Sequence, residues 1–200
     1  ILLFIGILLG IGCIRFKESL PTEKRSKTGV FATFRSFGII VHNRRYMLYV
    51  LQLAFAQGIL FAYIASSPFI IQQHYGFSPF AFSICFAVNA VAIGVAAAIS
   101  VKFRRTENGT LTGCIGMLVF AILQMAALYS GCGFWTYELL MFALLFMMGL
   151  TFTASTTLAM DCERRYAGAA SALLGALCFA SGGIVSPLVG LGDILLSTGV

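Results

Sequence analysis

The chain has 200 residues, 60% of them hydrophobic and only 10% charged, with thirteen Lys and Arg against seven Asp and Glu for a net charge of +6. That composition excludes a soluble domain of ordinary make-up and makes lipid the solvent of the fold. Nor does the positive excess point to nucleic acid, because the basic residues fall between apolar runs and not along one face of a folded domain.

The chain opens in an uncharged apolar run over residues 1–14. Fourteen residues make about 21 Å of helix, short of the roughly 30 Å of a hydrocarbon core, so the sequence is expected to start partway through a spanning helix. Residues 15–45 form a basic connection with eight Lys or Arg against Glu18 and Glu23. Within it Val30, Phe34, Phe37 and Val41 recur at helical spacing and predict a short amphipathic helix on the membrane surface.

The first complete span runs over 46–71, from Tyr46 to Ile71, without a single charge. With one helix committed to lipid, neighbouring segments must also satisfy their backbone polar groups, so the rest of the chain reads as spans and turns. A short turn, Gln72 to Pro79, leads to an antiparallel span over 80–101, which Lys102, Arg104 and Arg105 terminate. The third span covers 109–129. Asn108, Gly109 and Thr110 at its start form a glycosylation sequon, but on the basic side of the chain Asn108 is read as the helix start. The turn over 130–138 holds the only tryptophan, Trp135, beside Tyr137, side chains suited to the headgroup level. A fourth span over 139–160 ends at Asp161, Glu163, Arg164 and Arg165, and a fifth covers 167–191. Residues 192–200 are too few for another crossing, so the chain is expected to stop short of one.

All thirteen Lys and Arg lie at 15–45, 102–107 and 161–166, and the alternate turns hold none. This is the positive-inside pattern, and it predicts that the basic turns are cytoplasmic in a multi-pass protein of a plasma membrane. Five of the six cysteines lie in or at the ends of apolar runs with no CxxC pair, so they read as small buried hydrophobes; Cys132, in an outer turn, is the one to test for reactivity. His42 and His74 have no partner at ligand spacing, so neither an enzyme nor a metal centre is expected. No cofactor is expected either.

FAYIASSPFIIQQHYGFSPFAFSICFAVNA, from Phe61 to Ala90, resembles the seventh and eighth helices of the major facilitator superfamily, in particular its bicyclomycin-resistance (Bcr/CflA) branch of drug:proton antiporters. Glu18-Ser19-Leu20-Pro21 is similar to that family's central loop, and AGAASALLGAL from Ala167 to Leu177 to the start of its eleventh helix. The resemblance implies an all-α, polytopic membrane helix bundle, the C-terminal six-helix half of a twelve-helix transporter. Residues 1–14 would end the sixth helix, 15–45 form the central loop, the five complete spans be helices seven to eleven, and 192–200 lead toward the twelfth. It also implies efflux of small organic molecules by alternating access, with the proton gradient as driving force and a missing N-terminal half as partner. A non-transporting receptor or scaffold is the alternative that composition leaves open.

Residues three or four apart share a helix face. Gln52, Phe55, Ile59, Tyr63 and Ser66 form one stripe, and Phe82, Phe86, Asn89 and Ile93 another. Polar groups inside lipid face protein or a water-filled cavity, so these stripes are the candidate cavity walls. Aromatic faces with a few amides and hydroxyls suit amphiphilic organic molecules of varied shape. Two roles stay open for Gln52, Asn89 and Gln124, which can equally join helices by hydrogen bonds. Thr151, Thr153, Ser155, Thr156 and Thr157 either bond their own helix four residues back or line the cavity, Thr151 and Ser155 being the cavity candidates. Asp161, beside Arg164 and Arg165, either pairs at the interface or closes an inner gate, and Pro187 is expected to kink its helix. No acidic residue falls deep within an expected span, so a proton-coupling carboxylate is expected in the N-terminal half.

Overall fold

The computed structural model describes residues 2–15 and 30–191. The basic connection over 16–29, with its Glu18–Pro21 motif, and the loop over 192–200 lie outside the described residues. The chain divides into two compact units between Phe34 and Arg35. The first contains α1 (Leu2–Arg15) and the start of α2 (Val30–Val41). The second holds the end of α2 and then α3 (Arg44–Pro68), α4 (Pro79–Ser100), α5 (Thr106–Tyr129), α6 (Phe134–Cys162) and α7 (Ala167–Val189). All described secondary structure is helical, and α3 to α7 are each long and apolar enough to cross a membrane.

Local chemistry sets the helix ends. Asn43 Oδ1 accepts from the Tyr46 amide at the start of α3, and Ser78 Oγ accepts from the Ala81 amide ahead of Pro79, which fits a first helical position because its missing N–H is not needed there. α5 begins at Thr106, so Asn108 lies inside the first turn and Arg105 is the cap. The chain turns sharply at Gly131, whose φ of 69° favours glycine, and α6 starts at Phe134, five residues before the expected start at 139. Beyond Pro68, which has no N–H to continue the ladder, α3 widens into a π-helical turn over Phe69–His74, and the Tyr75 amide bonds Ile70 O five residues back at 3.0 Å.

α6 is the central element, with α5 and α4 packed along it; α3 lies against both α6 and α7. Glycine makes a close helix approach possible: a Cβ at Gly149 of α6 would stand 2.5 Å from Ile93 O of α4. One core gathers Ala56, Tyr63, Met117, Met141, Leu144 and Leu145, and a second gathers Ile40, Tyr46, Val50, Ala159 and Ala170. On the outside Val91, Leu118, Phe179 and Ile184 remain exposed, which suits a surface bathed in hydrocarbon and not in water.

The two ends of the bundle differ. At one, Asn43 Nδ2 donates to Glu163 Oε1 (2.6 Å) and Tyr46 Oη donates to Ala170 O (2.6 Å), tying the start of α3 to the end of α6 and the start of α7. Phe103 and Ala154 both approach Gly109, which brings the α4–α5 turn to the same end. Arg44, Arg45, Lys102, Arg104, Arg105, Arg164 and Arg165 therefore collect there. At the other end Tyr75 Oη donates to Cys132 O (2.9 Å), amid the rings of His74, Phe134 and Tyr137. Burial and the neighbouring Cys132 push the Tyr75 phenol up to about 12.

Candidate functional site

Three helices contribute one polar side chain each to a cluster on the aromatic side of the bundle. Asn89 is the eleventh of the 22 residues of α4 and is fully buried; Tyr63 of α3 is buried and Glu138 of α6 half-buried. The Asn89 amide nitrogen donates to Tyr63 Oη at 3.1 Å and to Glu138 Oε1 at 2.9 Å. Asn89 Oδ1 and Glu138 Oε2 are buried with no hydrogen-bond partner. The Phe86 ring, one helical turn before Asn89, stacks on Tyr63 with centroids 5.6 Å apart and planes 12° apart, and Phe82 continues the aromatic face at 5.8 Å from Phe86.

Tyr63 also borders an apolar groove of about 700 Å³ between α3, α5, α6 and α7, lined by Phe55, Ile59, Leu144 and Val185 among others. Phe55 is 74% exposed at its edge. Gln124 of α5 lies in this groove, 4% exposed, and neither of its amide atoms has a partner.

The remaining candidates fall elsewhere. Ser155 Oγ donates to Gln52 Oε1 at 2.6 Å and lies 3.2 Å from Thr110 Oγ1, while Thr151 Oγ1 donates to Thr110 O at 3.4 Å. These bonds form a seam joining α3, α5 and α6. Ser66 is fully buried beside Ser67 just before Pro68. Thr156 and Thr157 bond the carbonyls of Phe152 and Thr153, four residues back on their own helix. Asp161 pairs with Arg164 at 2.9 Å on the exposed basic end, where the Arg165 guanidinium stands 5.7 Å above the Tyr166 ring. Pro187 lies two residues before the end of α7.

The pairings of Tyr63 with Asn89 and of Gln52 with Ser155 join the polar positions of the two sequence stripes to other helices. Glu138 escaped the sequence reading because it follows Trp135 and Tyr137 and looks like an interfacial residue. Its burial comes from α6 starting early and docking on α4. Gln124 carries no sequence signal beyond being one amide in an apolar run. Among the described residues no three His, Cys, Asp or Glu side chains converge as metal ligands would.

The family model described as Major Facilitator Superfamily matches residues 1–187. An uncharacterized MFS-type transporter, YdgK of Bacillus subtilis (strain 168), is 35% identical over 198 residues, which are 96% of this chain and 49% of that protein. The chain thus spans about half the length of the curated relative it matches. No solved structure matches.

Proposed function

The chain belongs to the major facilitator superfamily, and from that membership we propose that it forms half of a secondary active transporter, one that expels small organic molecules in exchange for protons. On this reading the basic end faces the cytoplasm of a bacterial cell, the partner half of the same protein closes the substrate path, and no enzyme chemistry or cofactor takes part. The Bcr/CflA branch of drug:proton antiporters is the assignment within the superfamily. YdgK, named as an MFS-type transporter, supports the transport class.

The observation that carries the reading is the Tyr63–Asn89–Phe86 arrangement. It sets a stacked aromatic pair beside one hydrogen-bonding amide halfway along a span. Flat apolar surface binds varied aromatic or amphiphilic molecules by stacking and burial, and a few polar groups orient them without demanding one shape. The seven arginines and lysines at the other end give the asymmetry of charge that fixes orientation.

The test is accumulation of ethidium in a susceptible host expressing the intact protein, with and without a protonophore. Lowered accumulation that the protonophore restores supports the reading. Accumulation indifferent to both protein and gradient overturns it in favour of a receptor or scaffold.

A further inference from the structure

The Tyr63–Asn89–Glu138 cluster holds more acceptors than donors. Asn89 uses both amide hydrogens, on Tyr63 Oη and Glu138 Oε1, and leaves its own Oδ1 and Glu138 Oε2 buried and unpaired. Each unpaired buried acceptor costs about 1–3 kcal/mol, and more if charged. A carboxamide and a carboxylic acid can remove both losses at once. The amide N–H donates to one acid oxygen while the acid O–H donates to the amide oxygen, closing a ring of two hydrogen bonds. The first of these bonds is in place, and the atoms that need the second are the two without partners.

We propose that Glu138 is a proton-binding site, at which a proton from the aqueous phase bonds to Oε2 and is donated to Asn89 Oδ1. A hydronium ion loses the proton and becomes water; an O–H bond forms on the carboxylate and its charge is neutralised, with no change of oxidation state. Release runs the other way and leaves a carboxylate held by Asn89 Nδ2 alone. The titratable groups around this carboxyl are Tyr63 from α3, Cys85 from α4 and the adjacent Tyr137 of α6, with Tyr75 and Cys132 of the two turns behind Tyr137 and the His74 ring on the far side of Tyr75. None of them is a lysine or an arginine. Every Lys and Arg of α3 to α7 and their turns lies at the opposite end, so no fixed positive charge competes with the proton for the carboxylate. Asn89 also holds Tyr63, whose ring carries Phe86, so proton occupancy reaches the aromatic face through one side chain. The site's use in driving export rests on the efflux reading above; its existence does not.

Infrared difference spectra of the intact protein in liposomes, titrated with pH in the absence of any organic ligand, read the site directly. A protonated-carboxyl C=O band that is lost in Glu138→Gln and shifted in frequency in Asn89→Leu is the expected result, and Asn89→Leu alone decides if Glu138→Gln does not fold. A band unchanged in both variants, or no such band in the wild type, overturns the proposal. In the same liposomes Glu138→Gln should lose ethidium transport driven by a pH gradient, whereas equal gradient-driven transport in variant and wild type contradicts the assignment. Wild-type protein that moves no ethidium, yet shows the Glu138 band, leaves the proton site standing and removes the efflux reading.

Discussion

The Tyr63–Asn89–Glu138 cluster and the Gln52–Ser155–Thr110 seam both join three helices through buried polar atoms, yet their hydrogen-bond balances run in opposite directions. The cluster is short of a donor: Asn89 Oδ1 and Glu138 Oε2 have none. The seam is short of an acceptor: Gln52 Nε2 donates to nothing. An added proton repairs the first deficit and does nothing for the second, which also contains no group able to change charge near neutral pH. Interhelical polar contacts in lipid therefore differ in kind. One sort fastens helices, and the other can respond to the solution outside.

The comparison is easiest to break with Asn89→Leu. This change strips Glu138 Oε1 and Tyr63 Oη of their donor, and a buried carboxylate left without a partner costs about 3 kcal/mol or more. The unfolding midpoint in detergent should fall most under alkaline conditions, where the carboxyl is charged. Smaller is the effect of Gly113→Ala on α5, where a Cβ would stand 2.8 Å from Met147 O and collide with Thr151. Pushing α5 off α6 opens the seam and should cost about 1–3 kcal/mol by overpacking, measured as a lower midpoint with no change in its pH dependence. Gln52→Leu removes the acceptor of Ser155 and should cost about 0.6–2 kcal/mol, again independently of pH. Least affected is Gln124→Ala, whose amide bonds nothing in the protein. Ethidium transport should change less in that variant than in Tyr63→Ala or Asn89→Ala, and equal changes in all three would return the aromatic face to a packing role.

The bundle is legible in the sequence because each span carries its own signal: an uncharged run of the right length, ended by charge or by a turn residue. Asn43 before α3 and Ser78-Pro79 before α4 announce their helices locally. The cluster is not legible in that way. Glu138 stands 49 residues from Asn89 in the chain, and Ser155 stands 103 from Gln52. Periodicity places each residue on a face but names no partner across the bundle. The π-helical turn after Pro68 was hidden for a related reason. Proline marks a break in the hydrogen-bond ladder, but whether the helix stops or widens depends on what packs beside it, and here Ile70 and Ile71 are buried in the core.

The most direct test sets Asn89→Leu beside Gln52→Leu and measures the loss of unfolding midpoint for each in acidic and in alkaline buffer. If the two polar clusters differ as described, the Asn89 variant loses much more in alkaline than in acidic buffer while the Gln52 variant loses the same in both. Equal losses for Asn89→Leu at the two extremes would show that no proton enters the cluster, and the distinction between fastening and responsive contacts would not hold.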